Sequence, residues 1–585
     1  MTFDVNFDFP PKRKEQNRTE QNRKTTNKMP SKATYLTIVN DTSMAMTIAV
    51  TETDNYDWDG SSRPDHNFQN VTIAAHSSVK NREELNYYAK SAWYRMTITF
   101  TNGQKITFRN DQQDAFKDLN RMYQCNSGYL VWQLSGNDNN QMTISPYSAW
   151  MHDNLDLLGG RDLRQICMPG SHDAGMDKNV NGTIAPDCAV VTQAMPISGQ
   201  LACGVRYFDL RVIIGSGTYH TGHYDDSTHL GGRGESFEEI INEVNDFTAY
   251  TRELVILQLS HSMDTDHDYA AFTTAQWNGL LDLLTAKMKH LYLTTAADLT
   301  SLTLRDYIGT GPAVVIFVGD KTSINFANYP TIYAGSKFPM FDSYAHSDDV
   351  NVMVSDQLNK MHVNKTYPDA KLFLLSWTLT QTTFGATTCL VDSSKSIKSL
   401  AAQANARLND ILPACTPYSF PNIILLDWIY PTLPFLNIAM TINTTIINAW
   451  FRLVNKQRQT TGQPYLDAGS DKMYMSNYQS DYTLWKLQPV QDKWFRLVNK
   501  GHQLHSLPLY MDGGGSQNTV YMSNFSDSPC VQWSFNSTSP WFKIICKDHQ
   551  DKGSKLYLDA NSASNPIYTT DYDSLYTYWK FEYVH

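Results

Sequence analysis

From Ala33 onward, apolar residues recur at every second position. The segments TYLTIVN, MAMTIAV, NVTIAA and YRMTITFTNGQKITFRN each alternate in this way, which is the period of a strand with one buried face. In the last of them, Asn102-Gly103 separates two alternating runs and marks a tight hairpin. Leu130–Leu134 adds another strand. The pattern predicts an antiparallel β-sandwich over residues 33–148. The Asn-, Lys-, Arg- and Thr-rich stretch 1–32 has too little apolar content to fold and reads as a disordered basic tail.

The pattern then changes to short apolar runs, each ending in a polar residue and followed by loop or helix-like sequence. They are Gln165–Pro169, Val205–Arg211, Thr218–His223, Leu254–Ser260, Ala313–Gly319, Leu372–Trp377 and Ile423–Asp427. Strands covered on both faces read this way, and their alternation with helical segments predicts a parallel sheet. Residues 149–448 are therefore expected to form a distorted TIM-like α/β barrel, with chemistry at the C-terminal strand ends. The most apolar stretch, Pro431–Ile447, is too short and too rich in Thr and Asn to span a bilayer. It reads as a buried terminal helix.

A repeat occupies residues 449–585. Trp450-Phe-Arg-Leu-Val-Asn-Lys recurs from Trp494 and, more loosely, from Trp541. Each copy continues into Leu466-Asp467, Met511-Asp512 or Leu558-Asp559. A tyrosine strand (Tyr474, Tyr521, Tyr568) and a closing tryptophan (Trp485, Trp533, Trp579) follow. Three copies fit a closed threefold β structure better than an open array. The triplication resembles the ricin-B-type β-trefoil lectins. That resemblance places Asp467, Asp512 and Asp559 at the sugar-contacting position, with glycans as partners. Asn477 and Asn524 follow at suitable distance, and the third repeat departs with Asp571. A purely structural Leu-Asp turn is the competing reading.

Composition narrows the function classes. The chain has 585 residues, 41% apolar and 18% charged, with a formal net charge of -10. That is enough apolar material for several cores, and the acidic balance argues against nucleic acid as a partner. The opening MTFDVNFDFPPKRKEQNR has no apolar h-region, so neither a classical secretory signal nor a transmembrane helix is expected. A peripheral membrane position and non-classical secretion both stay open. The eight cysteines contain no CxxC pair, which disfavours zinc. Cys188 with Cys203, or Cys389 with Cys415, are candidate disulfides, and buried free thiols are the alternative.

The chemistry clusters in the middle segment. Met168-Pro-Gly-Ser-His172-Asp173 puts a histidine and an aspartate just beyond a strand. Gly204-Val-Arg-Tyr-Phe-Asp209-Leu-Arg211 ends another strand in charge, and Thr218-Tyr-His220-Thr-Gly-His223 adds two imidazoles. Phosphodiester cleavage needs a base, an acid and fixed positive charge on the phosphoryl oxygens. Two histidines and an arginine supply these with no metal or cofactor.

The order and spacing of PGSHD, GVRYFDLR and a following histidine resemble the X domain of the phosphatidylinositol-specific phospholipases C. The resemblance covers roughly residues 161–427. It implies His172 as the base on the inositol 2-hydroxyl and His223 as the acid on the diacylglycerol oxygen, with His220 the alternative. Asp173 would support His223, and Asp427 would pair with His172. Arg211 stands where the eukaryotic signalling enzymes carry a calcium-binding aspartate, which implies metal-independent catalysis of the bacterial type. Asp209 would orient Arg211 or a substrate hydroxyl. At Leu257-Gln-Leu-Ser260-His261 the chain lacks the lysine of the bacterial motif, so the headgroup is less defined than the mechanism. His220, Ser260, Asp320 and Trp377 are candidate substrate contacts, as is Asp342.

The expected activity is a phosphoric diester lyase on phosphatidylinositol, or on a glycosyl-phosphatidylinositol, at a membrane surface. Two other readings stay open. One is a glycan-binding toxin or defence lectin with a silent barrel. The other is a metal-dependent enzyme acting on sphingomyelin or glycerophosphodiesters.

Overall fold

The computed structural model describes residues 31–54, 68–86, 92–112, 120–136, 139–180, 185–225, 228–319, 324–366, 370–417, 419–446, 450–469, 472–491, 494–538, 541–554, 556–561 and 567–583. Nearly all of the tail over 1–32, and Asp320, lie outside the described residues. The chain forms two compact units, residues 1–119 with 134–142 and residues 120–133 with 143–585.

In the first unit, Ser31–Asn40 pairs antiparallel with Ser77–Asn86. A second antiparallel sheet runs in the order Val71–Ile73, Met46–Asp54, Ala92–Phe100, Lys105–Gln112. Ile48, Val50, Met96 and Ile98 point inward and are fully buried. The Asn102-Gly103 hairpin forms, with Gly103 at φ +85°, a conformation that glycine adopts without steric penalty.

In the second unit, eight strands build the barrel. They are β1 (Met168–Ser171), β2 (Tyr207–Gly215), β3 (Leu254–Asp264), β4 (Ala313–Val318), β5 (Ile332–Ala334), β6 (Met340–Phe341), β7 (Leu372–Ser376) and β8 (Ile423–Leu426). Their order is β5-β4-β3-β2-β1-β8-β7-β6, and each pairing along it is parallel. β5 and β6 are the two ends of this curled sheet. Thr218–Tyr224 is not a barrel strand as its apolar run suggested. β2 continues past Arg211, turns at Ser216-Gly217 (φ +53° and +72°), and pairs antiparallel with Thr218–Tyr224.

Alternation along the strands sorts side chains between two cores. Met168, Tyr207, Ile256, Val315, Leu374 and Ile423 share one cluster. Phe208, Leu257, Ile316, Leu375 and Ile424 face the other, with the helices Phe237–Tyr250 and Thr274–Lys287. Both helices open with capping boxes, Ser236 with Glu239 and Thr273 with Gln276, which satisfy amide donors left free at a helix start. Gly170 sits where β1 meets its neighbours. A Cβ there would lie 2.6 Å from Ile423 Cγ2 and 3.2 Å from Tyr207 Cδ1. A side chain at this position would push β1 away from β2 and β8.

At the N-terminal ends of β2 and β3, Arg206 and Glu253 are fully buried and joined at 2.8 Å. Arg206 also donates to the carbonyls of Leu201 and Val205, and Glu253 accepts from the amides of Met151 and His152. Removing one partner would strand the other charge in the interior. Glu253→Ala is expected to cost about 3–5 kcal/mol in a denaturant or thermal unfolding measurement.

The Pro431–Ile447 stretch contains a helix, Phe435–Thr441, that runs on into a wide turn at Ile442–Ile446. Asn443 is buried there and bonds both the amide and the carbonyl of Cys167.

The last part of the chain is the β-trefoil. Its first and last strands, Phe451–Asn455 and Trp579–Tyr583, pair and close it. Trp485, Trp533 and Trp579 are fully buried, and each indole donates to the carbonyl of Leu466, Met511 or Leu558 at 2.8–3.0 Å. The same bond in all three repeats is the structural basis of the sequence repeat.

Neither expected disulfide forms. Cys188 bonds Cys389, while Cys203 and Cys415 are free. Cys203 rests on the Met195 sulfur, and Cys415 donates to the carbonyl of Ile411 in its own helical turn. The β1–β8–β7 adjacency brings together the segments that follow β1 and β7, so nearness in space replaces nearness in sequence. Among the described residues, no helix is long and apolar enough to cross a membrane.

Candidate active site

Strand register assembles the site. Ser171 pairs with Leu426 and with Phe208, so the next residues, His172 and Asp427, emerge side by side, with Asp209 on the other flank. Asp209 and Arg211 follow Tyr207 at alternate positions and share its inward face. Arg211 is in register with Ser260 of β3. Every one of these groups therefore stands just above the apolar layer at one mouth of the barrel. The backbone turns sharply there: Asp173, His261 and Trp428 have φ of +42°, +50° and +54°. Such conformations cost of order 1–3 kcal/mol each and cluster at functional sites.

His172 Nδ1 lies 2.8 Å from Asp427 Oδ1, and its Nε2 lies 3.0 Å from a terminal nitrogen of Arg211. A guanidinium only donates. The second contact therefore requires a lone pair on Nε2 and places the remaining proton on Nδ1, donated to Asp427. Arg211 Nε is 2.5 Å from Asp173 Oδ1, and His223 Nδ1 is 3.5 Å from Asp173 Oδ2. These two are close ion contacts rather than aligned hydrogen bonds. Asp209 accepts from the Ser260 hydroxyl at 3.0 Å.

Burial opposes charge on the His172 imidazole, but Asp427 and Asp173 outweigh it and raise its pKa to about 9. That pull toward protonation competes with the Arg211 contact, which needs Nε2 bare. A proton on Nε2 has Asp173 Oδ2, 3.8 Å away, to turn to. At His223 burial dominates and lowers the pKa in spite of Asp173. Burial would raise Asp173, but Arg211, then His172 and His223, hold its carboxyl below the usual range.

If His172 is the base and His223 the acid, the group that must be bare has the higher proton affinity. The profile of kcat/KM is then expected to be bell-shaped, with His223 setting its acid limb and His172 its alkaline limb. Asp427→Asn removes a carboxylate that raises His172. The alkaline limb should move to lower pH while the acid limb stays, which a pH series on the variant would check.

The site opens into a cavity of about 700 Å³. His172, Arg211, His223 and Asp427 line it, joined by His261 and Tyr344. The other sequence candidates are placed differently. His220 faces away, with its ring nitrogens near Thr218 Oγ1 and the Gly234 carbonyl. Trp377 is a core side chain whose indole donates to Ala404, on the helix side of β7; Thr378, Leu379 and Thr380, just after it, reach the cavity instead. Ser260 lies beneath the site, holding Asp209 and His261. Asp342 is exposed just after β6, where partial desolvation, with Asp209 nearby, raises its pKa.

Tyr344 was missed by the sequence reading. It follows β6, a two-residue strand too short to show as an apolar run. Its ring meets the His172 ring edge-on at 5.7 Å, and it stands near Arg211, whose charge it favours. Gln193 was also missed. Its amide donates to the carbonyls of His172 and Leu426 and ties the ends of β1 and β8 together.

In the trefoil, Asp467, Asp512 and Asp559 are each about 2% exposed. Each accepts from a backbone amide two residues on, at Gly469, Gly514 and Asn561. Their carboxylates are engaged in turns. Exposed rings stand at equivalent places nearby: Tyr478, Phe525 and Tyr572.

No family model matches the chain. It is 29% identical over 137 residues to a PI-PLC X-box domain-containing protein of Dictyostelium discoideum, a match covering 21% of this chain and 18% of that relative. Among solved structures, it is similar to a phosphatidylinositol-specific phospholipase C from Listeria monocytogenes, at 16% identity, TM-score 0.35, 49% of this chain and 96% of that one. A variant of the Staphylococcus aureus enzyme follows at 15%, 0.38, 50% and 96%. The designed threefold protein ThreeFoil matches at 19% identity and TM-score 0.18, over 23% of this chain and 96% of its own.

Proposed function

We propose that the barrel is a phosphoric diester lyase acting on phosphatidylinositol, or on the same headgroup in a glycosyl-phosphatidylinositol, without a metal ion. The observation that carries this reading is the paired arrangement at the mouth: Asp427–His172 on one side, Asp173–His223 on the other, with Arg211 touching both halves. His172 Nε2 takes the proton of the inositol 2-hydroxyl. That oxygen attacks phosphorus and forms the cyclic 1,2-phosphate. His223, held by Asp173, delivers a proton to the departing diacylglycerol oxygen. Arg211 offsets the charge that builds on the non-bridging oxygens.

The metal-free part rests on the guanidinium. His172, Asp173 and Asp209 offer ligand atoms within 4.8 Å of one another, a spacing a cation can use. Arg211 already contacts two of the three, and a second cation there would meet its charge at short range. Substrate recognition falls to Tyr344 and His261 with Arg211, His261 standing where a lysine is expected from the resemblance.

The trefoil is proposed to bring the enzyme to glycan-bearing surfaces. With the three aspartates buried, sugar contact falls to the exposed rings of Tyr478, Phe525 and Tyr572. A headgroup-resolved lipid hydrolysis assay tests the enzymatic reading. Turnover of inositol lipids is expected, and inactivity on all of them would leave a glycan-binding protein with a silent barrel.

A further inference from the structure

Two glutamates among the described residues are fully buried, Glu253 and Glu235, and they are treated in opposite ways. Glu253 has Arg206 and the amides of Met151 and His152. Glu235 meets no donor: neither of its carboxyl oxygens accepts a hydrogen bond among the described residues, and neither does Asp177 Oδ1. Glu243, on the helix Phe237–Tyr250, completes the group and accepts from the Ser198 amide at 2.6 Å. Burial raises all three, Glu235 well above the usual carboxyl range, Asp177 to about 6 and Glu243 to about 7. Glu243 and Asp177 add to the effect at Glu235.

The neighbours offset little of this. Lys178 is a cation that all three carboxyls feel, but it is paired with Glu239 at 2.8 Å. Arg233 turns to the Ser216 hydroxyl at 2.9 Å. His220 sits at the Gly234 carbonyl, its pKa lowered by burial, and Cys125 brings Glu243 a thiol that burial keeps protonated. A buried carboxylate without donor or counter-charge is far costlier than the neutral acid, so the group holds protons. A metal fits less well, because among the described residues only His172, Asp173 and Asp209 bring three ligand atoms within 4.8 Å of one another.

The group lies across the contact that seats the acid. Glu235 belongs to the return strand Gly231–Ser236, which pairs with Thr218–Tyr224 and sets His223 opposite Gly232. The Glu235 amide and the Thr221 hydroxyl both donate to the Gly175 carbonyl, at 2.8 and 3.0 Å. Gly234 allows this approach, since a Cβ there would lie 2.1 Å from the same carbonyl oxygen. The loop after β1 thus carries Asp173 on one side of Gly175 and Asp177 on the other, while the arm carries His223 and Glu235.

We propose that Glu235, together with Asp177 and Glu243, is a positioning residue for His223: while the group holds its protons the arm is clamped to the loop after β1, and their release loosens it. The clamped arm binds protons more tightly than the loosened one. Clamping is therefore complete in acid and is lost as pH rises from the ordinary carboxyl range through about 7. The effect on catalysis rests on the phospholipase reading. Between the limbs set by His223 and His172, kcat/KM should carry a step, lower on its alkaline side.

Hydrogen exchange of the full chain between about pH 5.5 and 8, corrected for the intrinsic rate, reads the clamp without any substrate. Protection of peptides from residues 218–236 should fall about tenfold or more over that range, while peptides from β4 change little. Asp177→Asn with Glu235→Gln, which keeps the shapes and removes the titration, should hold protection within about threefold. Glu243→Gln alone should reduce the fall without abolishing it. Flat protection in the unaltered protein overturns the proposal, as does an equal fall in the double variant. Protection lost at high pH and restored by calcium chloride overturns it in favour of a cation site. On a soluble inositol phosphodiester, the step in kcat/KM should disappear in the double variant while both limbs remain. A proton-dependent clamp in a protein that turns over no inositol lipid supports the proposal and removes only the enzymatic reading.

Discussion

His172→Ala is expected to lower kcat/KM on an inositol phosphodiester about 10³-fold, within the 10²–10⁴ range typical of a lost general base. The size follows from how much of the site is built around this one ring. Asp427 fixes its Nδ1 at 2.8 Å, Gln193 holds its carbonyl, and Tyr344 packs against its edge. The other imidazoles around the cavity are held differently: His223 faces Asp173, His261 meets the Ser260 hydroxyl, and His220 faces away. A variant keeping more than about a tenth of the activity would show that the base is another group.

Arg211→Ala is expected to cost about 10²–10³-fold, mainly in kcat. In the proposed mechanism the guanidinium offsets charge that develops in the transition state, so substrate binding should suffer less than turnover. The loss should also reach the acid. Arg211 is the leading influence holding the Asp173 carboxyl low. Without it Asp173 gains proton affinity and stops supporting a proton on His223. Arg211→Lys keeps the charge, but a single ammonium cannot make both the Nε contact to Asp173 and the terminal contact to His172. The lysine variant should therefore fall between wild type and alanine. A steady-state comparison of the three proteins checks this order, and a change confined to KM would contradict it.

Much of the fold was legible because the hydrophobic pattern is strong where strands are long. Six of the parallel strands show as apolar runs, since both of their faces are buried. β5 and β6 did not, being three and two residues long. With β6 went Tyr344, whose place in the site depends on a strand too brief to read. Thr218–His223 misled because it is short and ends in a polar residue as the barrel strands do, whereas it pairs only with β2 and its own return strand and is half exposed. Trp377 was misplaced because the last residue of an apolar run can point to either face, and here the helix layer took it. The disulfide was invisible because its partners are joined by the β1–β8–β7 order and not by spacing. Of the candidate groups, His172 and Asp427 directly follow strand ends that the apolar runs show, and strand register carries Asp209 and Arg211 of β2 to the same mouth. In the trefoil, the repeated indole-to-carbonyl bond kept the tryptophans recognisable, while burial of Asp467, Asp512 and Asp559 could not be read from their positions in the repeat.

The central claim is phosphodiester cleavage by two histidines and an arginine with no metal. Incubating the full chain with phosphatidylinositol in excess EDTA, and following the water-soluble product by phosphorus NMR, tests it most directly. The expected result is inositol 1,2-cyclic phosphate as first product, at a rate the chelator does not change and that His172→Ala abolishes. No cyclic product, or product that forms only when calcium or magnesium is restored, would contradict it.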